Sequence, residues 1–578
     1  MKSRFTIPAV VFCVTLMVQC LFVSLSARKF MLSGDEPHYL MLTISILKDG
    51  DFDLANNYKN QDYRTIGLTS LNPRVIEGGT ERIYPPDPWG FSLLLLPAFR
   101  AGGVTGVRLF LMSLTGGLAV LLFYLANSMT SFQTASGIAS VLLCCSPPIV
   151  YLGPSVYPEI PLALLLTWGL LTMQSMTPGI GNRAILYGMI PGFMVLIHTR
   201  GFALCAGMLL VVWFSLHPVA VKIRYSTPCF IILGATLGVT WWQTGTFYPY
   251  LWGNDPYASY RDQAIHLMGL FLDRESGLLC NAPLYFFVVL AGFCGSSRIS
   301  RREIGVALPF GLNLFLVTLN PQWWGGWSPP CRYMLPLAPL AVLLLTPHLR
   351  SVRLTLKSFF LVGVLTWTIL LMTAAFRDTG NLYMKGNGIN KCYSSKSSLM
   401  AASFAFPSLR AEEPSRIALA AVWIGSFGLY VFHKRSNIFR SRRFVAIIAA
   451  VLLLIGVLCL IPVQNGILTA WRDRLSVPLS VDKPILLTPP PNATLSEAPR
   501  FTWSSIPGSD SYEFYLRFPN GFLAGAPVPG GRNELIIGSE IWSRVPDGEY
   551  GWCVVPMRGF EAGTNSDVSQ IRKGHAAP

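Results

Sequence analysis

Apolar runs long enough to cross a bilayer recur from one end of this chain almost to the other, which leaves few folds open to it. A spanning helix needs about 20 mainly apolar residues. Such runs cover residues 6–26, 107–129, 134–153, 157–176, 184–198, 202–216 and 226–243. They continue at 281–295, 304–319, 333–349, 357–376, 415–432 and 444–463. The expected fold is an α-helical polytopic membrane protein with about thirteen transmembrane helices, since helices satisfy their own backbone groups in lipid. Composition agrees. Of 578 residues, 52% are hydrophobic and 13% charged, against roughly 25% charged in soluble domains. Too few charges remain to cover a water-facing surface.

Lys plus Arg is 45 and Asp plus Glu 29, a formal charge of +16. In a soluble protein that excess would point to nucleic acid. Here the basic residues sit in short loops between apolar runs, where they set topology, so no nucleic-acid partner is expected. With Lys2 and Arg4 inside, the basic stretches at 222–224, 298–302, 350–357 and 433–443 all fall on that same side. The expected protein is an integral, multi-pass membrane protein, its N-terminus cytoplasmic and its C-terminal domain extracytoplasmic. Residues 6–26 lack a clear small-residue cleavage site and read as a first span rather than a signal peptide.

That topology places 27–106, 245–280, 323–332, 377–414 and the tail outside. The expected domains are a transmembrane unit over 1–463 with its large first outside loop, a linker over 464–490, and an all-β sandwich over 491–578. The last rests on short alternating runs, among them Arg500-Phe501-Thr502-Trp503 and Glu549-Tyr550-Gly551-Trp552-Cys553, divided by Gly, Pro and Asn. Most of the 12 cysteines lie in apolar runs, and none has zinc-ligand spacing. Cys280, Cys331, Cys392 and Cys553, in or near outside segments, leave room for one disulfide.

Five strings could carry chemistry. Asp35-Glu36-Pro37-His38-Tyr39 follows the first span, and its adjacent carboxylates suit a general base acting on an acceptor hydroxyl or amine; Asp before Glu-Pro equally suits a helix N-cap. Asp49, Asp51 and Asp53 are hard-cation ligand types, but the run is too short for an EF-hand loop and reads better as a solvated turn. Arg82 to Gly90, with Tyr84-Pro85-Pro86 inside, precedes an interfacial helix. His198-Thr199-Arg200 interrupts an apolar stretch, where Arg200 either snorkels to the surface or grips a phosphate. Trp323-Trp324-Gly325-Gly326-Trp327, leading to Arg332-Tyr333, suits either stacking on sugar rings or an interfacial aromatic belt.

Taken in order, Asp35-Glu36, Tyr84-Pro85-Pro86, Tyr157-Pro158-Glu159 and Trp324 to Tyr333 resemble the GT-C superfamily of polytopic glycosyltransferases. The likeness is to the branch of protein O-mannosyltransferases and lipid A aminoarabinose transferases, and Asp273 to Leu279 matches a stretch recurring in bacterial members. Two positions depart from the family: no Lys stands between Tyr84 and Pro85-Pro86, and Cys331 replaces the usual residue before Arg-Tyr. The resemblance implies a catalytic carboxylate at Asp35 with Glu36 as helper, and a polyprenyl-phosphate sugar as donor. It implies donor contacts at Arg332, Arg200, Tyr84 and Tyr333, and sugar or acceptor contacts at His38, Tyr39, Trp324, Trp327 and Glu159. The acceptor would be a glycan, lipid or protein, and the transfer would invert the anomeric centre. The resemblance names no certain cofactor, and a divalent metal stays open without support. The tail resembles fibronectin type III modules. The competing reading is a transporter or flippase for a lipid-linked sugar, although no internal repeat supports it.

Overall fold

The computed structural model describes residues 6–26, 32–244 apart from 69–70, 72–75, 78–81, 86 and 177–180, then 260–294, 301–350 apart from 321 and 327, and 356–377. It also describes 382, 403, 406–409, 418–426, and 482–574 apart from 510, 518–522, 530–531, 559–560 and 563. The chain divides into two compact units, Met1–Gly456 and Val457–Pro578.

The first unit is helical. Among the described residues, three helices are long and apolar enough to cross a membrane: Thr6–Ser24, Gly90–Thr130 and Arg332–Leu349. Shorter apolar helices include Gln133–Cys144, Glu159–Gln174, Arg183–Ile197 and Gly201–Trp213. The expected count of spans and the helices differ for local reasons. The run at 134–153 breaks where Pro147 and Pro148 follow Cys144, and it resumes only as the single turn Ile149–Leu152. The expected interfacial helix and the span after it are one 41-residue helix, Gly90–Thr130, which bends where Gly102 and Gly103 leave helical geometry. Gly103 has φ +55, a value that costs glycine nothing. Only 418–426 of the span expected at 415–432 is described, and that expected at 444–463 lies outside the described residues.

Helices approach closely where glycine allows it. A Cβ on Gly188 would sit 1.8 Å from the Tyr225 carbonyl oxygen of the helix Val219–Thr244. Gly188→Ala is therefore expected to push that helix away at a cost of about 1–3 kcal/mol, read as a lowered melting temperature in detergent. An unchanged melting temperature would show that the two helices are not so close.

Among its described residues the second unit is a β-structure of two sheets. β1 (Ile76–Glu77) and β2 (Ile83–Tyr84) form a separate hairpin in the first unit; the second unit begins with β3 (Leu486–Thr488), β4 (Ala493–Leu495), β5 (Arg500–Trp503) and β6 (Ser511–Arg517). It continues with β7 (Leu523–Pro529), β8 (Glu534–Ile536), β9 (Gly548–Arg558), β10 (Glu561–Ala562) and β11 (Ser569–Lys573). One sheet runs β3-β5-β8, the other β4-β11-β9-β6-β7 with β10 beside β9. All pairs are antiparallel except β4 with β11. Alternation buries Phe501, Trp503, Phe514 and Trp552 in one core, where Phe501 stands 4.7 Å from Phe514 and 4.9 Å from Trp552 by ring centroids. No disulfide links the described cysteines: Cys331 Sγ instead donates to the Ser276 carbonyl at 3.4 Å, and Cys392 lies outside the described residues.

Candidate active site

Four charged residues meet in the first unit, each at the start of a helical segment. Asp35 precedes the helix Glu36–Lys48, and Glu159 opens Glu159–Gln174. Arg200 precedes Gly201–Trp213, and Arg332 opens the 3-10 turn Arg332–Leu337. Local sequence explains two of these starts. Gly201 lets the chain reverse against its own preceding helix, because a Cβ there would lie 1.9 Å from the Met194 carbonyl oxygen. Before Arg332 the chain turns through Gly325 at φ +90, Gly326 at φ +60 and Cys331 at φ +63. For Cys331 that conformation is strained, and it sets the direction of the next side chain.

The four charges form one chain of contacts. Arg332 Nη2 donates to Asp35 Oδ2 at 2.9 Å, and its Nε lies 3.3 Å from Glu159 Oε1. Arg200 Nη2 donates to that same Glu159 oxygen. Aromatic rings line the group: Arg332 lies 4.7 Å from the Tyr157 ring and 4.8 Å from that of Tyr333, and Arg200 lies 4.5 Å from Tyr333. The side chain of Glu159 is fully enclosed and that of Arg332 is 6% exposed, whereas Asp35 keeps 20%. Asp35 is thus the member a substrate can reach. Arg200 Nε and Nη1 are buried and find no hydrogen-bond acceptor among the described residues. The positive ends of three helices favour an anion.

Asp35 occupies an N-cap position, yet its side chain makes no capping bond; it is turned to Arg332 instead. Glu36 points elsewhere. Its two oxygens accept from Ser33 N at 2.9 Å and Val156 N at 2.6 Å, while Tyr157 Oη donates to the Ser33 carbonyl at 2.9 Å. Glu36 therefore ties the first loop to the turn before Glu159. Burial pushes its carboxyl up to about 7, against the pull of those backbone donors and of Arg108. The folded protein then holds a proton that the unfolded chain releases near pH 4.5, so the Glu36 part of the stability falls as pH rises from 4.5 to 7. The drop is about 3 kcal/mol at most. Melting curves from pH 5 to pH 8 are expected to fall for wild type and to flatten in Glu36→Gln; equal slopes would remove Glu36 as the cause.

The other expected residues are more scattered. Tyr333 joins the site, where its hydroxyl lies 3.3 Å from Arg332 Nη2. Tyr84 is buried in the β1–β2 hairpin. His38 Nδ1 meets Tyr58 Oη at 3.1 Å, and Tyr39 packs edge-on against Phe91. Trp324 packs edge-on against Trp323, whose ring lies over His266; Trp327 lies outside the described residues. The aspartates are engaged within their own loop: Asp49 with Asn57, Asp51 with Ser45, and Asp53 with the Ala55 and Ile83 amides. Three residues of the neighbourhood escaped the sequence reading as site residues. Tyr157 belongs to the Tyr157-Pro158-Glu159 motif, from which the resemblance carries over only Glu159 as a site residue, and its ring lies 4.7 Å from Arg332. His198 reaches Asp87 at 3.6 Å and accepts from Arg200 N at 3.1 Å. Asp273 accepts from the Glu275, Ser276 and Leu409 amides, which fixes the turn that receives Cys331.

The chain matches no family model, and no curated protein matches it. Among solved structures it is similar to ArnT from Cupriavidus metallidurans bound to undecaprenyl phosphate, at 14% identity and a TM-score of 0.43, over 78% of this chain and 75% of that one. The apo structure of the same ArnT gives 15% identity and a TM-score of 0.42 over the same shares.

Proposed function

We propose that this chain is an integral membrane glycosyltransferase of the bacterial plasma membrane. It moves a hexosyl or pentosyl group from a polyprenyl-phosphate donor to an extracytoplasmic glycan, lipid or protein, with inversion at the anomeric carbon. The observation that carries this reading is the 2.9 Å contact between Asp35 and Arg332, which sets a reachable carboxylate beside an anion-holding guanidinium. An acceptor oxygen or nitrogen forms the new bond to the anomeric carbon and gives its proton to Asp35. The bond from that carbon to the phosphate oxygen breaks, and its electron pair leaves with the lipid phosphate. Arg332, Arg200 and the three helix starts take up the charge that develops there. The long apolar helices and the low charge content support a bilayer setting. For the second unit the sheets β3-β5-β8 and β4-β11-β9-β6-β7 support a fibronectin III-like sandwich.

The test is incubation of the purified protein with a panel of polyprenyl-phosphate sugars and membrane-extract acceptors, following free polyprenyl phosphate. Release that requires both donor and extract supports transfer. Passage of the donor across proteoliposomes with no release would support the transporter reading instead.

A further inference from the structure

We infer that the donor's phosphate displaces Asp35 from Arg332, so that the carboxylate is released to act on an acceptor only once the donor is seated. The inference rests on the function proposed above. In the structure, two guanidinium groups and two carboxylates are joined by contacts and balance one another: Arg332 with Asp35, and Arg200 with Glu159, which also faces Arg332. A phosphate that entered while every one of these contacts stayed closed would bring uncompensated negative charge into a largely buried place, which is costly. Exchange avoids that cost. One carboxylate leaves and the phosphate takes its guanidinium.

Exposure decides which carboxylate leaves. Glu159 is fully enclosed and both arginines face one of its oxygens, whereas the Asp35 side chain is 20% exposed and can turn to water or to an acceptor. Arg332 keeps its place during the exchange, because the Tyr157 and Tyr333 rings and Glu159 surround it. The unsatisfied Nε and Nη1 of Arg200 can supply further donors to the incoming oxygens. A carboxylate withdrawn from a guanidinium is also the stronger base. Before the donor arrives Asp35 is held in a poor state for catalysis, and the donor's own binding releases it. Loss of the phosphate product lets the pair close again.

The test is the affinity of undecaprenyl phosphate for the purified full-length protein, for Asp35→Asn and Asp35→Ala, and for Arg332→Gln. Inorganic phosphate and undecaprenol serve as parallel probes, and monodispersity in detergent establishes that each variant is folded. If the exchange operates, both Asp35 variants bind undecaprenyl phosphate about five- to tenfold tighter than wild type, since the phosphate no longer competes with a carboxylate. Arg332→Gln loses the affinity, and undecaprenol binds wild type and variants alike. Unchanged or weaker phosphate binding in both Asp35 variants, with Arg332 still required, overturns the exchange and leaves the proposed function standing. Equal tightening for the uncharged undecaprenol also overturns it. No binding of undecaprenyl phosphate to any form overturns the proposed function and the exchange together.

Discussion

Asp35→Asn is expected to lower sugar transfer by about 10²–10⁴-fold, the usual contribution of a positioned general base, in a protein that still folds. The substitution keeps the shape of the side chain and one oxygen toward Arg332, and Glu159 still faces that arginine. Structural damage should therefore be small. The loss belongs in kcat: Asn cannot take the acceptor's proton, while the donor KM should fall because Asn competes less well for Arg332. A fall in kcat together with a fall in KM separates a lost base from a lost binding residue, which would raise KM alone. The check is initial rates over a range of donor concentrations, with melting temperatures measured on the same preparations. Transfer within threefold of wild type by a folded Asn variant would remove Asp35 from the chemistry.

Much of the site could be read from the sequence as a set of strings, but not as an arrangement. Asp35 and Glu36 are neighbours, so the sequence offered them as two members of one catalytic pair. Adjacent residues at a helix start point about 100° apart, and here one turns to Arg332 while the other turns to Val156 N. Their partners lie 297 and 120 residues away along the chain, and local pattern carries no information at that distance. The sequence leaves Arg200 open between a surface anchor and an ion holder, because hydropathy cannot tell which face of a helix start meets a partner. The structure buries it at 3% exposure against Glu159. Glu159, a sugar or acceptor contact by the resemblance, is in contact with both arginines. The bend at Gly102 and Gly103 was equally hidden, since two glycines inside an apolar run barely change its hydropathy. The β-unit was more legible, because a strand exposes its alternation directly: Phe501 and Trp503 face the core two residues apart.

Glu159→Ala is expected to be the most destabilising single change in the site. The carboxylate is 1% exposed and stands between two arginines that are 3% and 5% exposed. Its removal leaves Arg200 as a buried cation whose Nε and Nη1 already find no acceptor among the described residues. Breaking a buried pair on one side costs about 3–5 kcal/mol, far more than the pair contributes when both partners are present. The two losses should therefore not add. Glu159→Ala with Arg200→Met removes both charges, and it is expected to recover much of the stability lost by Glu159→Ala alone. Glu159→Gln keeps an acceptor oxygen and should fall between wild type and the Ala variant. Melting temperature in detergent, measured for wild type, Glu159→Ala, Arg200→Met and the double variant, reads the cycle, with Glu159→Gln measured beside them. Additive losses would mean that Arg200 and Glu159 do not touch. A loss below 1 kcal/mol for Glu159→Ala would mean that water reaches the two arginines, in which case the charge balance that holds Asp35 against Arg332 would not exist either.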